Sequence, residues 1–341
     1  IWPVVVRRSL SHWRLLSSVM IGVLLASSIL AGTVIYFEAL REIALTSALD
    51  KLTPQETNIL IKAQRGPTTN QEFQKVETTS QNQIDGLISG MVSNIDHAGR
   101  SATFFLTEEG NETAAGEDDF RGYFAYVPNI VKHITISSGS QYSSETPSYV
   151  KGDIPTFGAL IPSDVAMAYD VEVGDKLSAV PFWDDTISHG EVEITGIFNR
   201  NNPDATFWQM DDTFIGAATV SDSFRTIPFY ISQSEYFQVL GQAFTSLDTS
   251  YVWLLYIDRS VLNSLNSTSA ELAIGTMKTN LSNDLYSYRQ ITELDETLRE
   301  YDQRLFYSKI PMFILMVLIA IVVLYYVVTL SSLLIEQQQG E

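Results

Sequence analysis

The sequence predicts an α+β membrane protein in which two transmembrane helices extend into a helical stalk and carry an extracytoplasmic mixed α/β domain. Three observations lead to this prediction. Two long uncharged apolar runs lie near the ends of the chain, and the region between them is strongly acidic. Within that region, short β-branched and aromatic runs cluster instead of alternating with helices, which favours α+β over a doubly wound parallel sheet.

The charge balance limits the possible partners. The net charge of the 341 residues is −19, and residues 38–309 hold 38 acidic and 18 basic residues. A surface of this sign is unsuited to nucleic acid and to close contact with anionic lipid headgroups. It is suited to solubility in an extracytoplasmic space. The chain has no cysteine, which excludes disulfides, thiolate nucleophiles and Cys-ligated metal sites.

The first apolar run, residues 15–37, contains no charged residue. As a helix it would be about 35 Å long, enough to cross the hydrocarbon core of a bilayer. A cleaved signal peptide is the alternative, but its apolar region would be shorter. The small residues Ser18, Gly22 and Ala26 recur every fourth residue, so we expect another helix to pack closely there.

The second run, residues 310–335, is equally free of charge and has Pro311 near its start, where a missing N–H is tolerated. Three arginines precede the first run, which predicts a cytoplasmic N-terminus, residues 1–14. Residues 38–309 then lie outside the cytoplasm and residues 336–341 lie inside. The basic residues Arg299, Arg304 and Lys309 flank the second run on the outer side, which does not fit this orientation. Long loops, however, translocate largely regardless of their charge.

Both membrane helices are predicted to continue outward as a stalk. Residues 38–98 show apolar positions at helical spacing, and Thr53-Pro54-Gln55-Glu56 has the pattern of a capping box that starts a new helix. That helix would end at Gly66-Pro67, and a further one would span residues 71–95. On the return side, the apolar residues follow coiled-coil spacing. These stalk positions are Leu294, Leu298, Tyr301 and Leu305.

The domain between the stalks is predicted from its strand patterns. The expected strands cover residues 101–107, 121–127, 131–137, 190–198 and 251–258, and a last helix covers residues 269–286.

Motifs for catalysis or cofactor binding are missing from the sequence. There is no P-loop, no G-x-S-x-G and no H-E-x-x-H. The four histidines have no ligand spacing, and the acidic doublets, including Asp211-Asp212, are interpreted as solvated turns. We therefore predict no catalytic residue, no metal and no cofactor on this chain.

One segment has a more specific pattern. Residues 159–177 end in Val173-Gly174-Asp175-Lys176-Leu177, and the strand at 192–198 contains Gly196. This pattern resembles the extracytoplasmic domain of FtsX/MacB-like ABC transporter permeases. Gly174-Asp175 would form a tight turn into the strand that begins with Leu177, and Gly196 would permit a close backbone approach or a bulge.

The C-terminal residues 330–341 also resemble this family, at the point where its second membrane helix leads into a cytoplasmic coupling helix. The resemblance thereby implies that Glu336, Gly340 and Glu341 contribute to coupling with the ATPase. The chain starts at Ile1 and stops soon after the second apolar run, so we expect an N-terminal fragment of a longer permease. The family's third and fourth membrane helices would follow.

The resemblance implies a permease subunit in a bacterial inner membrane, forming a homodimer or heterodimer and pairing with a cytoplasmic ABC ATPase. ATP hydrolysis would occur on that partner, and the stalk would carry its motion to the outer domain. Lipids, lipoproteins and peptides are among the family's substrates, and an extracytoplasmic partner protein is another expectation. By the same analogy, residues 99–309 form the outer domain and the return stalk, with 131–225 as a β-rich subdomain.

Two other classes of protein remain as alternatives. A two-span sensor receptor with an extracytoplasmic ligand-binding domain would share this architecture, but a signalling helix bundle would follow residue 341 instead of further apolar spans. A membrane-anchored enzyme would need a catalytic constellation, which the sequence does not contain.

Overall fold

The structure is a computed structural model that describes residues 13–66, 68–110, 120–142, 149–183, 187–212, 226–263 and 265–339. The chain divides into two compact units. The first comprises Ile1–Lys51, Leu262–Ser269 and Glu296–Glu341, and the second comprises Leu52–Val261 and Ala270–Asp295.

Two long helices, α1 (Trp13–Leu49) and α6 (Leu294–Gln339), dominate the first unit. Stretches Met20–Leu49 and Leu294–Thr329 are apolar enough and long enough to cross a membrane. Each predicted membrane segment therefore belongs to a longer unbroken helix. Pro311 departs from the prediction, because it lies inside α6 rather than at a helix start. Proline lacks an N–H there, so the bond to the carbonyl four residues earlier is missing.

Within this unit, α1 and α6 touch at two widely separated positions. The Tyr301 hydroxyl donates a hydrogen bond to the Arg41 carbonyl oxygen at 3.0 Å. Farther along both helices, the Tyr326 ring lies so close to Gly22 that a Cβ atom there would be 3.1 Å from it. From Gly22 to Leu45 of α1, the half-buried and buried positions recur every three or four residues, which is the interval of helix pairs. These positions are Gly22, Ala26, Leu30, Thr33, Phe37, Arg41 and Leu45.

The remaining helices are shorter. They are α2 (Pro54–Thr57), α3 (Asn70–Leu87), α4 (Ser163–Tyr169) and α5 (Ser267–Asp284). A further helical segment consists of Gln233–Glu235, Tyr236–Leu240 and Gly241–Ala243, and short 3₁₀ turns occur at Ser89–Met91, Ile130–Lys132, Thr206–Trp208 and Arg259–Val261.

The described strands form one mixed sheet. They are β1 (Ile59–Gly66), β2 (Val92–Ser101), β3 (Phe104–Glu108), β4 (Arg121–Tyr126), β5 (Ile134–Gly139), β6 (Thr156–Pro162), β7 (Lys176–Pro181), β8 (Gly190–Arg200), β9 (Thr226–Tyr230), β10 (Thr249–Ile257) and β11 (Arg289–Ile291).

The prediction that residues 38–98 form a region of successive helices is wrong in two places. The capping box at Thr53 and Glu56 is present, but α2 ends after one turn and β1 follows. The second error lies at the end of α3, where β2 replaces the last turns of the predicted helix. In the structure, β1 and β2 both pair with β10. The periodicity of a short apolar run does not by itself distinguish a strand from a helix, so the sequence did not reveal these two strands.

Six of these strands close into a barrel. The hydrogen-bonded ring runs β4-β3-β7-β8-β6-β9 and returns to β4. The closing contact is a parallel pairing of β4 with β9, in which Arg121 lies opposite Thr226. From β4 the sheet continues outward through β2, β10 and β1 to its edge at β11.

Aromatic rings fill the barrel. Phe124 on β4 lies 4.6 Å from Phe157 on β6, 5.8 Å from Phe229 on β9 and 5.3 Å from Phe104 on β3, measured between ring centroids. All four side chains are fully buried. Contacts from one ring to three different strands identify this face as the interior of the barrel, packed by side chains as small barrels are.

A second core packs on the outer face of β4. It joins Tyr123 and Ala125 to Leu60 of β1 and to Val252 and Leu254 of β10. The other face of the extended sheet is covered by α3, whose Phe73 ring lies 4.7 Å from the Tyr251 ring on β10. The barrel is therefore held from outside by the rest of the sheet.

Candidate functional site: a cavity at the mouth of the barrel

The turn at Val173-Gly174-Asp175 is held on both sides by backbone hydrogen bonds. Gly174 adopts φ +98°, a conformation that favours glycine, and its N–H donates to the Ile194 carbonyl at 2.8 Å. The Ile194 N–H donates in return to the Asp175 carbonyl at 2.9 Å. The Asp175 carboxylate accepts the N–H of Glu172 at 2.8 Å. The tight turn predicted from the motif is present, and it is fixed against β8.

A cavity of about 640 Å³ opens beside this turn. Three inward-facing side chains form its floor: Leu106 near the end of β3, Leu177 at the start of β7 and Ile227 at the start of β9. The end of β3 and the starts of β7 and β9 lie at the same end of the barrel. This follows from the pairing directions, because β3 is antiparallel to both β4 and β7, and β9 is parallel to β4. The cavity is thus the mouth of the barrel, a common position for ligand sites.

The upper wall of the cavity is aromatic. Phe120 and Tyr169 meet edge to face with their ring centroids 5.7 Å apart, and Val171 lies beside them. Phe120 is 44% exposed. The N–H of Val171 donates to the Ala166 carbonyl at 3.0 Å, which ends α4 and places its last residues against the cavity. An open aromatic wall above an apolar floor can bind apolar side chains.

The rim of the cavity is acidic. Glu108, Asp170 and Asp175 contribute carboxylates, and Lys176 contributes a cation. The Lys176 ammonium lies 3.6 Å from the carboxylate of Glu109, a residue that does not line the cavity. The charge of the lysine is therefore balanced from outside, and the cavity presents a negative rim to solvent.

The other motif residues lie apart from this cavity. Val173 is at the exposed tip of the turn. Gly196 lies on β8, where the pairing with β6 shifts register after Ala159, and a Cβ atom there would be 2.4 Å from the Ser140 carbonyl oxygen. The close backbone approach predicted at Gly196 is observed, and it shapes the barrel wall rather than the cavity.

The residues predicted for the stalk are buried. Leu294 and Leu298 are fully buried, and Tyr301 and Leu305 are nearly so. Of the predicted small-residue stripe, Gly22 meets Tyr326 and Ala26 is half-buried. The side chains of Ser18 and Glu336, and the whole of Gly340 and Glu341, lie outside the described residues, so their predicted roles stay predictions.

The sequence interpretation of Asp211 as part of a solvated turn is wrong. Asp211 is 2% exposed, pairs with the Arg200 guanidinium and accepts a hydrogen bond from the Tyr230 hydroxyl. Arg200 also binds Asp212 at 2.5 Å and lies 4.4 Å above the Trp208 ring. Burial raises the pKa of Asp211 and raises that of Tyr230 well above its ordinary value. The sequence shows only the doublet, whereas burial comes from residues distant in the chain.

Metal binding finds no support among the described residues, where no three His, Cys, Asp or Glu side chains are placed to share an ion.

Three solved structures are similar to part of the chain. A domain of a protein designated a permease in Porphyromonas gingivalis has 11% identity and a TM-score of 0.30, covering 70% of this chain and 88% of that one. The extracellular domain of the noncanonic ABC-type transporter YknZ from Gram-positive bacteria has 12% identity and a TM-score of 0.32, covering 69% and 100%. The periplasmic region of MacB from Actinobacillus actinomycetemcomitans has 10% identity and a TM-score of 0.31, covering 72% and 92%.

No protein-family model and no curated protein matches the sequence. The function is therefore inferred from the residues of this chain.

Proposed function

We propose that this chain is the permease subunit of an ABC transporter. It would transmit ATP-driven motion of a separate cytoplasmic ATPase to an extracytoplasmic domain, for export or extraction of a lipid, lipoprotein, peptide or similar substrate. The observation that carries the proposal is the continuity of α1 and α6 beyond the length that a membrane requires. Neither helix is interrupted between its apolar part and its polar extension.

The lengths support a mechanical role. At 37 residues, α1 is about 55 Å long, and at 46 residues, α6 is about 69 Å. The hydrocarbon core takes about 30 Å of each. A simple anchor does not need the remaining length, whereas a rigid helix of this kind can carry displacement from one side of the membrane to the other.

The contacts between the two helices support it further. The Tyr301–Arg41 and Tyr326–Gly22 contacts lie 25 residues apart on α6, at positions on either side of Pro311. A pair of helices joined at two such places would move together. The three arginines before the first apolar run would orient the pair with its N-terminus in the cytoplasm, where the proposed ATPase would reside.

The absence of cysteine from the sequence permits a test that does not require the substrate. Met167, which is 79% exposed, would be replaced by cysteine and labelled with an environment-sensitive fluorophore. The labelled protein would be reconstituted in membranes with the ATPase that copurifies with it. ATP addition is expected to change the fluorescence.

Two substitutions at one residue then separate helix continuity from side-chain packing. Leu298→Pro breaks α6, whereas Leu298→Ala removes the same leucine contacts and keeps the helix. We expect Leu298→Pro to abolish the ATP-dependent change while ATP hydrolysis continues, and Leu298→Ala to retain the change. An unchanged response in the proline variant would contradict mechanical transmission. Failure to recover any ATPase, together with a signalling helix bundle after residue 341, would favour the sensor receptor instead.

A further inference from the structure

We propose that the cavity at the mouth of the barrel binds a basic amphipathic peptide. An apolar side chain of the peptide would occupy the floor, and its lysine or arginine side chains would lie along the carboxylates of Glu108, Asp170 and Asp175. This inference goes beyond the permease proposal and does not depend on it, because such a peptide could equally be a transported substrate or a signal.

The size of the cavity fits this ligand. A volume of about 640 Å³ lies in the usual range of ligand pockets, about 300–1,000 Å³. The floor is made by Leu106, Leu177 and Ile227, which leave few polar atoms to satisfy at its base. Burial of a leucine or tryptophan side chain there would favour binding, because apolar surface is removed from water.

The wall of the cavity fits a peptide better than a compact solute. Phe120 is 44% exposed and packs edge to face on Tyr169, so the apolar lining continues from the cavity to the surface of the domain. Aromatic rings with an exposed face can bind both an aliphatic side chain and a cation. A segment with alternating apolar and basic residues would use both parts of this wall.

Charge complementarity with the rim indicates that the ligand is positively charged. Three carboxylates line the rim, and the lining cation, Lys176, is already paired with Glu109. Over the whole chain, 40 acidic residues outnumber 21 basic ones. A net charge of −19 would steer cationic ligands toward the protein and repel anionic ones.

The arrangement of the carboxylates argues against an inorganic cation as the occupant. No three acidic or histidine side chains in the described parts of the chain come close enough together to hold a metal ion. Charges distributed along a rim suit a ligand that carries several separated positive charges.

The test uses the full protein in nanodiscs of zwitterionic lipid, without ATP or partner. The probe is a fluorescent ten-residue peptide of lysine, leucine and one tryptophan, and a peptide with glutamate in place of lysine is the control. Empty nanodiscs provide the baseline for binding to lipid. We expect the lysine peptide to bind the protein and the glutamate peptide not to bind.

Three variants assign the binding to the cavity. The pair Glu108→Gln and Asp170→Asn is expected to weaken binding about tenfold at low salt, with a smaller loss at high salt, where exposed charges are screened. The pair Phe120→Ala and Tyr169→Ala is expected to weaken binding at both salt concentrations. The matched control pair, Asp153→Asn and Asp204→Asn, removes two exposed carboxylates that do not line the cavity and should leave binding within twofold.

All substituted side chains lie at least partly at the surface, so we expect each variant to fold. Thermal unfolding followed by circular dichroism would verify this. Three results would overturn the proposal: no binding of the lysine peptide to the unsubstituted protein, equal binding of the glutamate peptide, or equal losses in the rim and control pairs. None of these results would affect the permease proposal, whose test requires ATP and the partner ATPase.

Discussion

The hydroxyl of Tyr230 donates a hydrogen bond to the carboxylate of Asp211, which is almost completely buried. Tyr230 is the last residue of β9, the strand that closes the barrel against β4. Arg200, the last residue of β8, pairs with the same carboxylate. One acidic side chain thereby joins the ends of two barrel strands.

Asp211→Asn is therefore expected to destabilise the protein. The substitution leaves the Arg200 guanidinium without its buried partner, and the loss of such a partner typically costs about 3–5 kcal/mol. The Arg200 side chain is 25% exposed, which reduces our expectation to about 2–3 kcal/mol. The measurement is the free energy of unfolding by denaturant in detergent, followed by tryptophan fluorescence.

Asp212→Asn is the matched control, because Asp212 binds the same guanidinium but its side chain is 57% exposed. It should cost less than about 1 kcal/mol. Equal losses in the two variants would show that burial of Asp211 is not what gives the pair its strength.

Gly196→Ala should destabilise the barrel wall. The new Cβ atom would meet the backbone carbonyl oxygen of Ser140 at 2.4 Å, and a backbone atom cannot move away as a side chain does. We expect a loss of about 1–3 kcal/mol, as for other overpacked sites. Gly86→Ala, in α3, meets nothing within 4 Å and should instead stabilise by about 0.5–1 kcal/mol. Thermal unfolding of both variants provides the comparison, and a neutral Gly196→Ala would be the contrary result.

Gly22→Leu should separate α1 from α6 at their contact in the apolar part. A Cβ atom at Gly22 already lies 3.1 Å from the Tyr326 ring, so a leucine would force the ring or the helix to move. Gly32→Leu, on the same helix, meets no atom within 4 Å and serves as control. Cysteines introduced for cross-linking between the helices should give a lower yield in Gly22→Leu only. Equal yields in both variants would contradict close packing at Gly22.

Stability should depend on pH through His97. Burial lowers the pKa of His97, although the nearby carboxylates of Glu77 and Asp96 act in the opposite direction. The unfolded chain therefore binds a proton more readily than the folded protein, and stability is lost as the pH falls through about 6.5 toward the lowered pKa. Above that window the contribution is fully retained.

His97→Gln should consequently show a smaller difference in Tm between pH 7.5 and pH 5.5 than the unsubstituted protein. Glu77→Gln should enlarge the difference, because the Glu77 carboxylate lies 3.7 Å from the His97 ring and favours its charged form. An unchanged pH profile in both variants would exclude His97 as the source.

Local signals in the sequence account for several correct predictions. The V-G-D turn depends on the positive φ of Gly174, and the alternation in residues 190–198 corresponds to β8. The two apolar runs and the return stalk positions correspond to α1 and α6. Each of these features is set by residues near one another in the chain.

The errors occur where distant residues decide the outcome. The Ile59-Leu60-Ile61 run forms a strand because β10 and β11 bind it on both sides. Asp211 is buried by partners on β8 and β9, and the cavity combines residues from β3, α4, β7 and β9. No local pattern records these neighbours, so the sequence located the turn beside the cavity but not the cavity itself.

Strand β10 has a consequence for how the protein is made. It pairs with both β1 and β2, although about two hundred residues separate Ile59 from its partner Leu255. At synthesis rates of about 5–20 residues per second, β1 would wait roughly 10–40 s for that partner to emerge. During this interval the unpaired edges of β1 and β2 are open to association with other chains. The yield of the protein should therefore depend on how well the cell protects a partly synthesised chain, and substitutions that make those edges more apolar should reduce expression without weakening the finished fold.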